Sequence, residues 1–461
     1  MFLKNTINAT SRLVPLHKQL RLTNKIMGVS RRLFGDTDAR TFDENPPADI
    51  SNIPLEEIDI SNPFLVKQGK WQAYFKRLRE ESPVHYTPKS PFGPFWSVTL
   101  HEDVGFVDRN HDLFTAAPYI VLGEPPTGLI ADTFIANNPP IHTARRKAVQ
   151  AVVGPQNLKE FEGLIRKRTQ KLLDSLPVNQ PFDWVQTVSV ELTSQMLATL
   201  MDFPFEERHN LIAWSDCAVS HDKMTGGGVD VHTYFKAAAD MLEAFTNLWH
   251  EKKAKRDRGE PLGFDAMSLM LQNEKTKDLA EKKPIEFIGD LALLIVGGND
   301  TTRNSMTGGV WAFHQYPEEL QKLKDNPDLM PNAVSEIIRW QTPLAYMRRV
   351  ALQDVEMRGK TIRKGDKVLM WYVSANRDES VFEDADRLKI DRSNARNHLS
   401  FGSGIHRCMG NRVADMQLMI LWQEILARFD RVEVLEAPTP TRSNFVKGYH
   451  SMSVKLHPKT S

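Results

Sequence analysis

The chain carries two cysteines, Cys217 and Cys408, and one of them stands where a thiol can do chemistry. Cys408 lies in the run Phe401-Gly402-Ser403-Gly404-Ile405-His406-Arg407-Cys408-Met409-Gly410, just ahead of a long helix-forming stretch. Two glycines and a small residue let a backbone turn tightly and come close to something flat. A thiol at a helix N-terminus meets the positive end of the helix dipole and free N–H groups, and both favour the thiolate. With no further cysteines, a disulfide framework is excluded and a multi-thiolate metal cluster is disfavoured. A zinc site built from His398, His406 and Cys408 would still lack a fourth ligand. A lone thiolate on a shaped backbone suits an axial bond to haem iron, where its electron donation favours O–O cleavage. The plain alternative, a small buried cysteine without chemistry, is the reading for Cys217.

Two further constellations stand upstream. Gly297-Gly298-Asn299-Asp300-Thr301-Thr302 interrupts a long helical pattern with residues that weaken a helix. Such a local violation is expected at a functional site. A hydroxyl there can bond its own backbone and loosen the helix, and an adjacent carboxylate can move protons. Glu336-Ile337-Ile338-Arg339 sets opposite charges three residues apart on one helix face, where they can pair.

The pattern Phe-x-x-Gly-x-x-x-Cys-x-Gly, preceded in order by the Asp-Thr helix and Glu-x-x-Arg, resembles the cytochrome P450 family over nearly the whole chain after about residue 50. The resemblance implies a mainly α fold with minor β sheets, a triangular prism with a helix-rich half and a small β-rich half. Residues 46–461 would form a single catalytic domain holding haem b. Cys408 would bind the iron, with Phe401 and Gly402 in its loop. His142, Arg146, Arg349 and His406 would hold the haem propionates, Arg348 being the neighbour most easily confused with Arg349. Thr301 would stabilise activated oxygen through its hydroxyl while Asp300 relays protons. Glu336 and Arg339, completed by Arg392, would have a structural role.

The strings LLIVGGNDTTRNSMTGG, TPLAYMRR, HLSFGSGIHRCMGNR and LWQEIL resemble most the soluble bacterial hydroxylases of terminal alkane and fatty-acid carbons. That likeness implies oxidation of an end methyl to a primary alcohol, with electrons from a ferredoxin and its NAD(P)H-dependent reductase. Arg145, Lys147, Arg407 and Arg412 are the expected ferredoxin contacts. One departure is Ser403, where that group usually has phenylalanine. Terminal selectivity needs a narrow apolar channel. The expected walls are Ile120, Leu122, Leu129 and Ile130, then Leu293, Val296 and Gly297, then Leu344, Ala345 and Met347, and finally Phe445 and Val446. Hydroxylation of cyclic terpenes or other small apolar molecules is the alternative. A peroxide-using relative would lack the Asp-Thr pair, and a haem-based sensor would not need it.

These groups have to be positioned by a chain of 461 residues with a formal net charge of +1, which gives no overall bias toward nucleic acid. From Met1 to Gly35 there is no Asp or Glu. This basic, amphipathic start, residues 1–45, is expected to be a flexible extension, with a membrane-surface helix or a transit peptide as alternatives. No apolar run is long enough to span a bilayer, so a cytoplasmic protein is expected, with peripheral contact at the inner membrane as the variant. Helical patterns are expected near 141–153, 157–175, 184–200, 206–220, 231–258, 284–316, 331–340 and 409–429, with strands around 84–100 and 350–373. Gly226-Gly227-Gly228 is expected to be a hinge or lid between two helices, and the basic cluster at 252–258 a solvated helix end.

Overall fold

The computed structural model describes residues 15–34, 41–124 and 132–459, with side chains in the first segment described to residue 25. The longest element is the helix Pro284–Gln315, opened by a proline whose missing N–H costs nothing in the first turn. It is buried along most of its length. Around it pack Val190–Met201, His209–Val219, Met330–Gln341 and Asn411–Arg428. Phe287, Leu291, Ile295, Met306 and Val310 anchor the largest apolar core along it.

The β-rich part is small. Its main sheet has the order Val84–Thr87, Phe95–Val98, Lys367–Trp371, Tyr346–Ala351, Phe114–Thr115. Every pair is antiparallel except Phe95–Val98 with Lys367–Trp371. Phe95, Tyr346, Leu369 and Trp371 form a second core on one side of it. The fold class is therefore the expected one: mainly α, with minor sheets.

Some local readings differ. The glycine triplet makes a tight, packed turn. A Cβ on Gly227 would sit 2.5 Å from the backbone of Ser220. Val229 N–H and Asp222 N–H close the turn from both sides. The basic cluster after it is not wholly solvated, because Lys252 is buried with its amine 2.6 Å from Asp202, 3.0 Å from Asp265 and 3.2 Å from the Ser268 hydroxyl.

Inside the segment expected to be a flexible extension, the structure has a helix, Leu16–Phe34. Leu16 and Leu20, four residues apart, turn inward and are buried. The helix lies along Val231–Asp257. Arg21 bonds Asp240 at 2.9 Å and Glu243 at 2.6 Å, and the Asn24 amide donates to His232 O. No helix among the described residues is long and apolar enough to cross a membrane.

Candidate active site

The run ending at Cys408 folds as a loop between the sheet half and the helix Asn411–Arg428. Cys408 N–H donates to Phe401 O at 2.8 Å, which closes the loop on itself. Gly402 and Gly404 both take φ of +64°, a conformation that side chains with a Cβ rarely adopt. Space makes the same demand, since a Cβ on Gly404 would lie 2.8 Å from Asp108 O. Cys408 sits deep in the fold, yet its surface opens into a cavity of about 250 Å³. Burial pushes its thiol up from its ordinary value, while the Gly410 N–H, Arg146 and Arg407 pull it back.

The long helix forms the opposite wall. Gly297 faces open space, with nothing within 4 Å of where its Cβ would be. Its neighbour Gly298 points away, and a Cβ there would come within 2.8 Å of Leu197. The Thr301 hydroxyl donates to Gly297 O at 2.8 Å, so the side chain takes a place in the helix's own bonding. Asp300 is buried, and both of its oxygens are engaged. One accepts the Ser215 hydroxyl from His209–Val219. The other lies 2.5 Å from Arg303, which also bonds Asp216 at 2.8 Å. Burial, only partly offset by Arg303, pushes the Asp300 carboxyl up from its ordinary value. A buried carboxyl raised in this way is better able to exchange a proton than an ordinary surface one.

Cations and donors gather at one edge. Strand alternation sends Met347 and Arg349 into the cavity and Arg348 away from it. Arg348 instead lies against the Tyr119 ring. Arg146 lines the cavity and donates to Arg407 O at 2.7 Å. His142 and His406 stack edge to face at 4.5 Å, and none of their four ring nitrogens has a partner. Buried, unpartnered donors beside two guanidiniums fit an anionic group with more than one carboxylate. A flat, iron-bearing ring with acidic side arms satisfies the loop, the open face at Gly297 and these orphan donors together. Phe401, Gly402, His406 and Cys408 all line the space it would fill.

Of the expected channel walls, Ile120, Leu293, Val296, Gly297, Leu344, Met347, Phe445 and Val446 line the cavity. Leu122 and Ala345 do not, and are buried in the core under the sheet. Leu122 is held there by its N–H, which donates to the Tyr346 hydroxyl at 2.9 Å. Leu129 and Ile130 lie outside the described residues. Among the expected ferredoxin contacts, Lys147, Arg407 and Arg412 are exposed. Arg145 is not. It is buried against Asp290 at 2.7 Å and Asp132 at 3.0 Å, so it is spent on an internal network.

Glu336, Arg339 and Arg392 come together as expected. Glu336 takes Arg339 through both oxygens, at 2.7 and 2.8 Å, and Arg392 at 3.2 Å. The segment leading to the loop is pinned nearby. His398 accepts the Ser400 N–H at 3.2 Å and packs on Phe401. Burial first, then the charges of Arg339 and Arg407, push His398 down to about 3. The unfolded chain therefore takes up this proton near pH 6.5 and the folded chain does not. The stability associated with the neutral ring is present above pH 6.5 and is lost as the pH falls toward 4. A urea titration series is expected to lose about 3 kcal/mol over that window from this group, and His398→Gln should flatten the slope.

Sequence reasoning missed Asp108. It lies in the last turn of the helix His101–Arg109, is buried, and bonds both Arg349 and the loop residue Ser403. Nothing local distinguishes it from an acid on a solvated helix end.

Comparison with known proteins agrees with this geometry. The family model described as Cytochrome P450 matches residues 64–456. Linalool 8-monooxygenase of Pseudomonas putida is 35% identical over 419 residues, covering 88% of this chain and all of that one. Methyl-branched lipid omega-hydroxylase of Mycobacterium bovis is 28% identical, covering 89% of this chain and 96% of the other. The solved structure of cytochrome P450-153 from Novosphingobium aromaticivorans superposes with a TM-score of 0.79 at 40% identity, covering 87% of this chain and 99% of that one.

Proposed function

Because the chain belongs to the cytochrome P450 family of haem-thiolate monooxygenases, we propose that it hydroxylates the terminal methyl group of uncharged, medium-length apolar chains, with electrons from a ferredoxin and its reductase. The observation that carries this reading is the cavity wall away from Cys408. The charged lining residues are Asp300, which is engaged by Ser215 and Arg303, and Arg146 and Arg349, which stand at the cysteine-side edge where the haem propionates would take them. Apart from the hydroxyls of Thr301, Thr302 and Ser305 on the long helix, the wall from Ile120 through Leu293 and Val296 to Leu344, Phe445 and Val446 is apolar. A carboxylate brought here would lose its water without gaining a cation.

Haem b supplies oxygen activation and insertion of one oxygen atom into a C–H bond, with the thiolate's electron donation favouring O–O cleavage. The chain's own residues do the rest. Cys408 would hold the iron through its thiolate, with Phe401 and Gly402 shaping its loop. Arg146, Arg349, His142 and His406 supply donors to the propionates. Gly297 keeps the helix clear of the reacting space. The apolar wall excludes water and presents the chain end first. Thr301 holds a hydroxyl at the notch, and the buried Asp300 carboxyl, one residue behind it, is the group that would relay protons. Lys147, Arg407 and Arg412 give an exposed basic rim on the cysteine side for an acidic ferredoxin.

Thr301→Ala is expected to cut the product formed per NAD(P)H by about tenfold, with the missing electrons appearing as hydrogen peroxide. A product-to-NAD(P)H ratio equal to wild type would remove Thr301 from proton delivery. A gas sensor, by contrast, would bind its ligand unchanged in this variant.

The substrate reading is tested with hexane to dodecane and the matching fatty acids, using a surrogate ferredoxin pair and scoring the hydroxyl position. Primary alcohols are expected from the alkanes, with kcat/KM for the fatty acids lower by at least about tenfold. Predominant in-chain alcohols, or faster turnover of the acids, would overturn it. The similarity to linalool 8-monooxygenase favours a small branched terpenoid as a second substrate class, and linalool belongs in the same panel.

A further inference from the structure

The carboxylate of Asp108 touches three separate parts of the site. Oδ1 accepts Arg349 Nη2 at 2.8 Å. Oδ2 accepts the Ser403 N–H at 2.6 Å, the Ser403 hydroxyl at 3.3 Å and the Tyr372 hydroxyl at 3.3 Å. Asp108 is itself buried, and the backbone beneath it presses on Gly404. One anion thus joins an arginine on the cavity wall to the loop that carries Cys408. Burial, with the charge of Asp108 next, holds the Tyr372 phenol well above its ordinary value, so it stays a donor.

From these contacts we propose that Asp108 is a positioning residue that tunes the haem, orienting Arg349 and fixing a negative charge beside the cysteine loop that keeps the iron harder to reduce. The inference rests on the haem reading of the preceding subsection. A fixed negative charge in a poorly screened interior opposes the arrival of an electron. Groups behind a metal's direct ligands commonly set its potential. The same contacts give Ser403 a purpose. Where an aromatic would only pack, its hydroxyl donates to the Asp108 carboxylate and spreads part of that charge.

The opposite signs expected of different variants separate this role from simple bracing. In haem-loaded, full-length protein, Asp108→Asn is expected to favour the reduced iron by about tenfold, a rise of about 59 mV in midpoint potential by spectroelectrochemical titration. Ser403→Ala and Tyr372→Phe keep the carboxylate but remove one donor from it. Each is expected to move the potential the other way, by about twofold in the same equilibrium. Bracing alone would loosen haem in all three without ordering their potentials.

Asp108→Asn with the carbon-monoxide thiolate band intact and the potential unchanged or lowered overturns the proposal. If Asp108→Asn holds no haem, the other two variants decide: lowered potentials support the proposal, and unchanged or raised ones overturn it. A wild-type protein without the thiolate band sinks the haem reading itself. An intact wild-type band beside an unresponsive Asp108→Asn sinks only the role of Asp108.

Discussion

Replacing Cys408 with alanine is expected to abolish turnover, by at least about 10⁴-fold, and to erase the thiolate-type carbon-monoxide band, while the chain itself folds. The asymmetry follows from the site. Burial opposes a free thiolate at Cys408, and only the Gly410 N–H, Arg146 and Arg407 favour one. The anion is therefore formed by metal binding, and alanine leaves no uncompensated charge behind. Unfolding by urea in the absence of haem should shift by no more than about 1 kcal/mol. Cys408→His is the sharper companion. It should hold coloured protein without the thiolate band and without hydroxylation, because imidazole lacks the electron donation that favours O–O cleavage. Hydroxylation by a haem-loaded Cys408→Ala protein would disprove the ligand assignment.

Glu336→Ala is expected to cost about 3–5 kcal/mol and to remove most of the haem-loaded yield. Both Glu336 oxygens are occupied, one by Arg339 and the other by Arg339, Arg392 and the Lys389 N–H. Arg339 is fully buried and Arg392 nearly so. Taking away the carboxylate leaves two guanidiniums in the core with backbone carbonyls as their remaining acceptors. Glu336→Gln keeps one oxygen and should cost less, about 2 kcal/mol. The check is the denaturation midpoint together with activity per haem. Surviving holoprotein should turn over as wild type does, because the triad braces the segment before the cysteine loop and touches no reactant. A lower rate per haem at normal stability would mean it acts in the chemistry.

Legibility in the sequence tracked how local each interaction is. The cysteine loop and Glu336–Arg339 are short patterns with strict spacing, so they could be read directly. The preference for Arg349 over Arg348 rests on the family likeness alone, and the alternation along Tyr346–Ala351 that separates the two belongs to a strand that the sequence pattern marks only from 350 on. Asp108 could not be found, since its partner Ser403 lies 295 residues away and only the fold brings them together. Arg145 and Lys252 sit in basic strings that look solvated. Asp290 and Asp265, distant or unremarkable in sequence, draw them inside. Leu122 and Ile120 have the same chemistry, and only the hydrogen bond to Tyr346 assigns one of them to the core. The helix His101–Arg109 was also hidden: it has Leu100 at its N-cap position, without a side-chain cap, and Gly105 in its middle. The packed glycine turn reads as slack for a related reason. Absence of a side chain signals either freedom or close approach, and sequence does not say which.

The helix at Leu16–Phe34 has a consequence for how guests come and go. It rides on Val231–Asp257, which packs on His209–Val219, whose Ser215 reaches Asp300. Any outward swing of that pair has to carry a passenger, or else strip Arg21 from its two acids and return Leu16 and Leu20 to water. Opening of the chamber on that side therefore moves three helices together, not two.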